Sequence, residues 1–158
     1  MKITKINKHI NATDYKIKQI TAEEAFTVRH PVLRAGKPIE TCAFEEDNLD
    51  TTFHFGIFDN ETLAGICTFL KNTTPYASEK AQYQLRGMAV LKPYQNKGLG
   101  SIILKHGERV LKAKNINLVW CNAREVAANF YKKKGYKTIG KPFNIKDIGL
   151  HYVMIKKL

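Results

Sequence analysis

Tyr15 to Ile20 alternates apolar and polar residues, with one extra polar residue at Gln19, and reads as a half-buried strand. Thr21-Ala22-Glu23-Glu24 follows as a capping box, in which a hydroxyl and a carboxylate three residues apart satisfy orphan backbone donors and open a helix. Pro31 soon kinks or ends that helix, because proline lacks the N–H and crowds the preceding turn. Phe53 to Phe58 and Leu63 to Leu70 are apolar and β-prone, and the polar break Asp59-Asn60-Glu61-Thr62 makes them an antiparallel hairpin. Lys71 to Ala81 is a polar connection, and Tyr83 to Leu91 is the next strand. Leu99, Ile103, His106 and Val110 recur at helical spacing and predict a helix from Leu99 to Lys114, with Asn115 as its stop.

Asn117 to Asn122 is a short apolar strand ending in polar residues. Ala123 to Lys134 predicts a helix with Ala127, Ala128, Phe130 and Tyr131 on one side. Lys132, Lys133 and Lys134 suit its negative end, and Gly135 is placed to cap it. Tyr136 to Ile139 and Leu150 to Lys156 are final strands around the loop Gly140 to Asp147. The order β, α, ββ, β, α, β, α, β, β predicts an α/β fold: one sheet of mixed parallel and antiparallel pairs with helices on both faces.

At 158 residues the chain is one domain, long enough for one sizeable core. Met1 to Asn11 alternates lysines with single isoleucines and lacks the apolar run of a signal peptide, and no segment approaches a membrane span, so a cytoplasmic location is expected. Cys42, Cys67 and Cys121 are odd in number, lack metal-ligand spacing and lie in or beside apolar segments, which reads as buried free thiols and no metal.

Gln95-Asn96-Lys97-Gly98-Leu99-Gly100 stands between a strand and a helix. A glycine-bearing turn at a helix start leaves backbone N–H groups unpaired at the positive end of the dipole, which suits an anion. Gly98 and Gly100 let a diphosphate approach the main chain, and Lys97 adds a mobile charge at the rim. Neither the Walker loop nor the dinucleotide fingerprint fits this spacing.

This Q-x-x-G-x-G turn, followed one βα unit later by Asn129-Phe130-Tyr131 and Gly135-Tyr136, resembles the Gcn5-related N-acetyltransferase (GNAT) superfamily. The resemblance is strongest from Tyr83 to about Ile139. It implies a single N-acetyltransferase domain over 1–158: an acceptor-side half (1–82), an acetyl-CoA-binding core (83–139) and C-terminal strands (140–158), with a splayed central strand pair. Acetyl-CoA is the implied cosubstrate, with no metal. The family position of Gln95, Asn96, Lys97, Gly98, Leu99, Gly100 and Ser101 binds the pyrophosphate. Main-chain groups around Met88, Ala89 and Val90 hold the pantetheine arm, and an N–H near Met88 or Val90 polarises the thioester carbonyl. Asn129 matches the position that bonds the pantetheine arm, and Tyr131 the position whose phenol protonates the leaving thiolate. Tyr131 is alternatively a core aromatic on an amphipathic helix.

Asn122, at its strand's end, positions a water or the acceptor, or caps the next helix. Arg124 reads as a helix-start surface residue or a phosphate contact. For the general base the sequence offers Glu79, His54 and His151 without choosing among them, and a water chain or no base serves as well.

The net charge of +12 is uneven: residues 21–70 carry nine acids against three bases, and residues 71–158 four acids against eighteen. The basic half holds both cofactor-like segments, where a positive field would help capture coenzyme A. The expected activity is acetyl transfer to a primary amine of a small molecule or peptide by direct attack on the thioester. No nucleic-acid or membrane partner is expected, and there is room for a homodimer. A non-catalytic acyl-CoA-binding module and, further off, a basic nucleic-acid-binding domain stand as alternatives. Glu40, Glu45, Glu46, Asp47, Asp50, Asp59 and Glu61 fall in segments the resemblance sets around the acceptor entrance, predicting a local negative potential and a cationic acceptor; alternatively they are solvated loop charges.

Overall fold

Thr21 caps the first helix as its sequence requires: its Oγ1 accepts from the Glu24 N–H at 3.1 Å, and the Thr21 N–H donates to Glu24 Oε2 at 2.8 Å. This computed structural model describes residues 14–158, so the expectation for Met1 to Asn11 falls outside the described residues. Strand β1 (Tyr15–Gln19) leads into helix α1 (Ala22–Leu33), with Pro31 in its last turn. The hairpin β2 (Phe53–Asp59) and β3 (Thr62–Lys71) follows, then β4 (Gln82–Val90), α2 (Leu99–Ala113), β5 (Leu118–Arg124), the six-residue α3 (Ala128–Lys133), β6 (Lys137–Ile145) and β7 (Gly149–Lys157). The strands form one sheet in the order β1-β2-β3-β4-β5-β7-β6. Among the described residues only β4 and β5 are parallel, and every other neighbouring pair is antiparallel. The mixed α/β sheet with helices on both faces is therefore the observed architecture.

The two faces have separate cores. Ile20, Ala25 and Val28 meet Ile66 and Ala89 on the α1 face. Phe55, Phe69, Leu85, Ile103, Leu104 and Leu111 belong to the larger cluster on the α2 face. β3 is buried on both sides and reads as a continuous apolar run for that reason. α2 lies so close to it that a Cβ on Gly107 would stand 2.2 Å from the Phe69 ring. The buried stripe of α2 runs through Leu99, Ile103, Leu104, Gly107, Glu108 and Leu111, with His106 and Val110 half-buried at its border.

Two boundaries differ from the sequence expectation, and strand pairing explains both. The helix expected from Ala123 begins only at Ala128, because β5 continues through Ala123 and Arg124 paired to Tyr152 and His151 of β7, and a 3-10 turn (Glu125–Ala127) intervenes. Helix propensity yields there to a tertiary ladder. The loop expected over Gly140 to Asp147 is mostly strand: β6 runs to Ile145 across a bulge between Ile139 and Phe143 and turns directly into β7. All three cysteines are buried and free.

Candidate active site

β4 and β5 pair at Gln82–Leu118, Tyr83–Val119 and Gln84–Trp120 and then part. Beyond Gln84, β4 stays with β3 while β5 stays with β7 along its whole length, so the two middle strands diverge into a V. A cavity of about 1150 Å³ fills this opening. An extra residue in β4 between the pairs Thr68–Arg86 and Ile66–Ala89 makes a bulge at the mouth of the V. The Leu91 N–H donates to Ala64 O at 2.8 Å, so by alternation the backbone of Ala89 also faces β3 and that of Met88 and Val90 faces the gap. Val90 O accepts from the Gln95 side chain at 2.9 Å, in keeping with that direction. Asn72, which accepts through its carbonyl from Trp120 Nε1 at 2.9 Å and donates to Gln84 Oε1 at 3.0 Å, ties the two strands together where the V closes.

At the open end of the V the chain passes a 3-10 turn (Lys92–Tyr94) and enters α2 through Gly98. Gly98 has φ 81, a left-handed conformation that strains any residue with a Cβ. Among the described residues no side chain caps the start of α2, so its first N–H groups are available to an anion. Gln95, Asn96, Gly98, Leu99, Gly100 and Ser101 all line the cavity. A Cβ on Gly100 would approach only the Phe130 ring, at 3.6 Å. Lys97 is exposed outside the lining, its ammonium 5.5 Å from the Tyr94 ring centre.

Tyr131, which is 7 % exposed, reaches the cavity from α3, edge-on to Phe130 and Tyr136. Burial, with Cys121 and Cys67 nearby, pushes its phenol well above the ordinary 10. Cys121 also lines the cavity, and burial raises its thiol to about 12. Sulfur in this environment therefore holds its proton tightly. Asn122 lines the cavity too, from within β5, where it pairs with Val153; it caps no helix. Asn129 is exposed on α3 and does not line the cavity.

The three base candidates separate clearly. Glu79 lies outside the cavity lining; its own backbone N–H and then Lys157, 3.2 Å away, hold its carboxyl below the ordinary value. His54 is buried with both ring nitrogens bonded, Nε2 to Asp47 O at 2.7 Å and Nδ1 to Thr68 Oγ1 at 2.8 Å. His151 lines the cavity, and its Nδ1 is 2.7 Å from Gly149 O. A carbonyl only accepts, so Nδ1 carries a proton, and in a neutral ring that tautomer makes Nε2 the acceptor.

The α1 side of the cavity holds residues the sequence did not single out. Arg34, at the C-cap of α1, Arg86 on β4 and Phe44 join Arg124 in the lining. Arg124 is thus a cavity residue of β5 and not a helix-start surface residue. Phe44 lies between two guanidiniums, 4.0 Å from that of Arg29 and 3.9 Å from that of Arg86. The one available signal for Arg86 was that it is the single charge in the strand Gln82–Val90. The seven carboxylates expected around the entrance are absent from the lining. Asp47 is buried and bonded to both terminal nitrogens of Arg29, at 2.8 and 2.9 Å, so its charge is spent internally. Among the described residues no cluster of His, Cys, Asp and Glu gathers to hold a metal, and no helix is long and apolar enough to cross a membrane.

A splayed parallel pair beside an uncapped, glycine-led helix start is the arrangement of a GNAT acetyltransferase. The sequence pattern of the acetyltransferase (GNAT) family matches residues 16–136, and the chain belongs to that family of enzymes. The chain is 40% identical over 143 residues to the uncharacterized N-acetyltransferase YitI of Bacillus subtilis (strain 168), covering 90% of this chain and 96% of that one. Its fold is similar to that of the ribosomal-protein-S18-alanine N-acetyltransferase of Escherichia coli, with TM-score 0.71 and 16% identity over 90% of this chain and 93% of the other. It is similar also to the PaiA N-acetyltransferase of Thermoplasma acidophilum in complex with coenzyme A, with TM-score 0.63 and 18% identity over 91% and 99%.

Proposed function

We propose that this enzyme transfers the acetyl group of acetyl-CoA to a primary amine by direct attack on the thioester, inside the β4–β5 opening. The divergence of the two strands after Gln84 carries this reading, because it leaves one edge of β4 without a partner strand beside a cavity large enough for the pantetheine arm and an acceptor. The residues present fit the cosubstrate. The diphosphate would take the free N–H groups from Gly98 to Ser101, where Gly100 leaves room that a side chain would fill. The arm would bond the gap-facing main chain of Met88 and Val90.

In the reaction the amine nitrogen forms a bond to the carbonyl carbon and the carbon–sulfur bond breaks. The N–H of Met88 or Val90 stabilises the oxygen that gains charge. Tyr131 gives its proton to the leaving sulfur. The same low-dielectric wall raises the proton affinity of a thiolate, as Cys121 illustrates, so the leaving sulfur meets the phenol as a stronger base than it is in water. The amine gives up its proton to Nε2 of His151, directly or through a water that Asn122 orients. Asn129 and Lys97 stand outside the lining, so a role for them in cofactor binding rests on the family resemblance alone.

Thermal unfolding with coenzyme A tests the reading. A ligand that binds only the folded protein stabilises it by about 2.7 kcal/mol at a hundred times its dissociation constant. A clear rise in Tm is expected, and no rise at millimolar coenzyme A contradicts the assignment.

A further inference from the structure

We propose that the acetylated amine carries a carboxylate of its own, held by Arg34, Arg86 and Arg124 on the α1 face of the opening. This rests on the acetyl transfer proposed above and adds the class of acceptor. The three arginines arrive from three separate elements, the end of α1, the middle of β4 and the end of β5, and line one cavity. No Asp or Glu is in that lining among the described residues, and none of the three makes an ion pair with one. Arg29 is the instructive contrast. It is buried close by but bonded to Asp47, Cys42 O and Thr68, as a structural arginine should be.

Gathering half-buried cations without an ion-paired carboxylate is unfavourable in the empty protein. Burial opposes the charge of Arg86 and Arg124 most strongly, and Arg34 opposes it further at both; at Arg86 the nearby Arg29 adds to this, and Glu46 and Asp47 give partial relief. An anionic ligand removes that cost, and guanidiniums match a carboxylate in a planar, two-bond geometry. Phe44, stacked on Arg86, holds its guanidinium in position before any ligand arrives.

Strand alternation separates this cluster from the diphosphate turn. Leu85 and Ala123 pack into the α2-side core, so their neighbours Arg86 and Arg124 project from the opposite face. His151 is the cross-strand partner of Arg124 and shares its face. The clamp for the acceptor's carboxylate and the acceptor for its ammonium proton thus stand together. A polyamine or aminoglycoside would meet only like charge there.

The test is thiol release from acetyl-CoA with matched amines: free amino acids, their methyl esters, phosphoethanolamine and spermidine. Turnover of a free amino acid is expected, with kcat/KM for its ester lower by about a hundredfold. In a readout independent of turnover, the same amino acid should further raise Tm of the coenzyme A-saturated protein, and its ester should not. Arg124→Gln and Arg34→Gln should each raise the acceptor KM by about tenfold or more while leaving the coenzyme A-induced shift unchanged. Two variants guard against the misfolding of either. Esters or spermidine used as well as free acids would overturn the proposal. Preference for phosphoethanolamine would replace carboxylate by phosphate, and loss of the coenzyme A shift in both variants would reassign the arginines to the cofactor. A wild-type protein with no coenzyme A shift and no turnover of any amine would instead refute the acetyl-transfer reading, a result distinct from all of these.

Discussion

Asp47→Asn probes the buried pair behind the α1-side wall of the cavity. The carboxylate accepts three bonds, from Arg29 Nη1 at 2.8 Å, Arg29 Nη2 at 2.9 Å and the Phe44 N–H at 2.8 Å. An amide offers one acceptor oxygen, and its NH2 must then face a donor. Arg29 would remain buried and charged, keeping its bonds to Cys42 O and Thr68 Oγ1 but losing its counter-charge. Removing one partner of a buried ion pair costs about 3–5 kcal/mol. Because two bonds to Arg29 survive, the lower end, about 3 kcal/mol, is expected. For a chain of this size that lowers Tm by about 6–12 °C, measurable by calorimetry and checked by urea unfolding. A domain of ordinary stability tolerates this and stays folded at 25 °C. Since Arg29 stacks on Phe44 at 4.0 Å and loses the bond from its Nη2, the Phe44 ring should loosen against Arg86, so the acceptor KM rises while the coenzyme A-induced shift persists. A loss of stability below about 1 kcal/mol would refute the reasoning, because Arg29 would then have reached solvent or another partner.

Tyr131→Phe should lower kcat by roughly a hundredfold with little change in coenzyme A affinity, and equal rates with chemistry limiting would make Tyr131 a packing residue. The phenol acts in its protonated form and burial raises its pKa above the ordinary 10, so it stays competent as pH rises; a falling limb of kcat between pH 8 and about 9 caused by Tyr131 would be inconsistent with that burial. Gly100→Ala should fold normally, its Cβ in ordinary contact with Phe130, yet weaken coenzyme A in calorimetric titration; unchanged affinity would move the diphosphate elsewhere. Gly98→Val should weaken coenzyme A as well and additionally lower the unfolding free energy by about 1 kcal/mol or more through its left-handed φ, read by urea unfolding.

Local signals were legible where local chemistry decided the outcome. The capping box at Thr21, the stop at Asn115 and the glycine turn before α2 depend on neighbours a few residues apart, and each stands where the sequence put it. The start of α3 was misread because β7, about thirty residues on, claims Ala123 and Arg124 for the sheet, and no window around Ala123 contains that strand. Charge was the least legible feature. Counting carboxylates in residues 40–61 implied a negative entrance, but a count cannot tell a charge turned inward from one turned out, and Asp47 lies 18 residues from the arginine that neutralises it. The arginine cluster is equally invisible in one dimension, since Arg34, Arg86 and Arg124 meet only after α1, β4 and β5 are packed. His151 was one of three equal candidates until the bond from Nδ1 to Gly149 O and its place in the cavity set it apart from His54 and Glu79.

The most direct test of acetyl transfer in the β4–β5 opening follows thiol release from acetyl-CoA with free amino acids as acceptors, with mass spectrometry of the product. The expected result is acceptor-dependent release with the acetyl group on the amine nitrogen, reduced roughly a hundredfold in Tyr131→Phe. Release that ignores the acceptor, or a product acetylated elsewhere than on nitrogen, would contradict it.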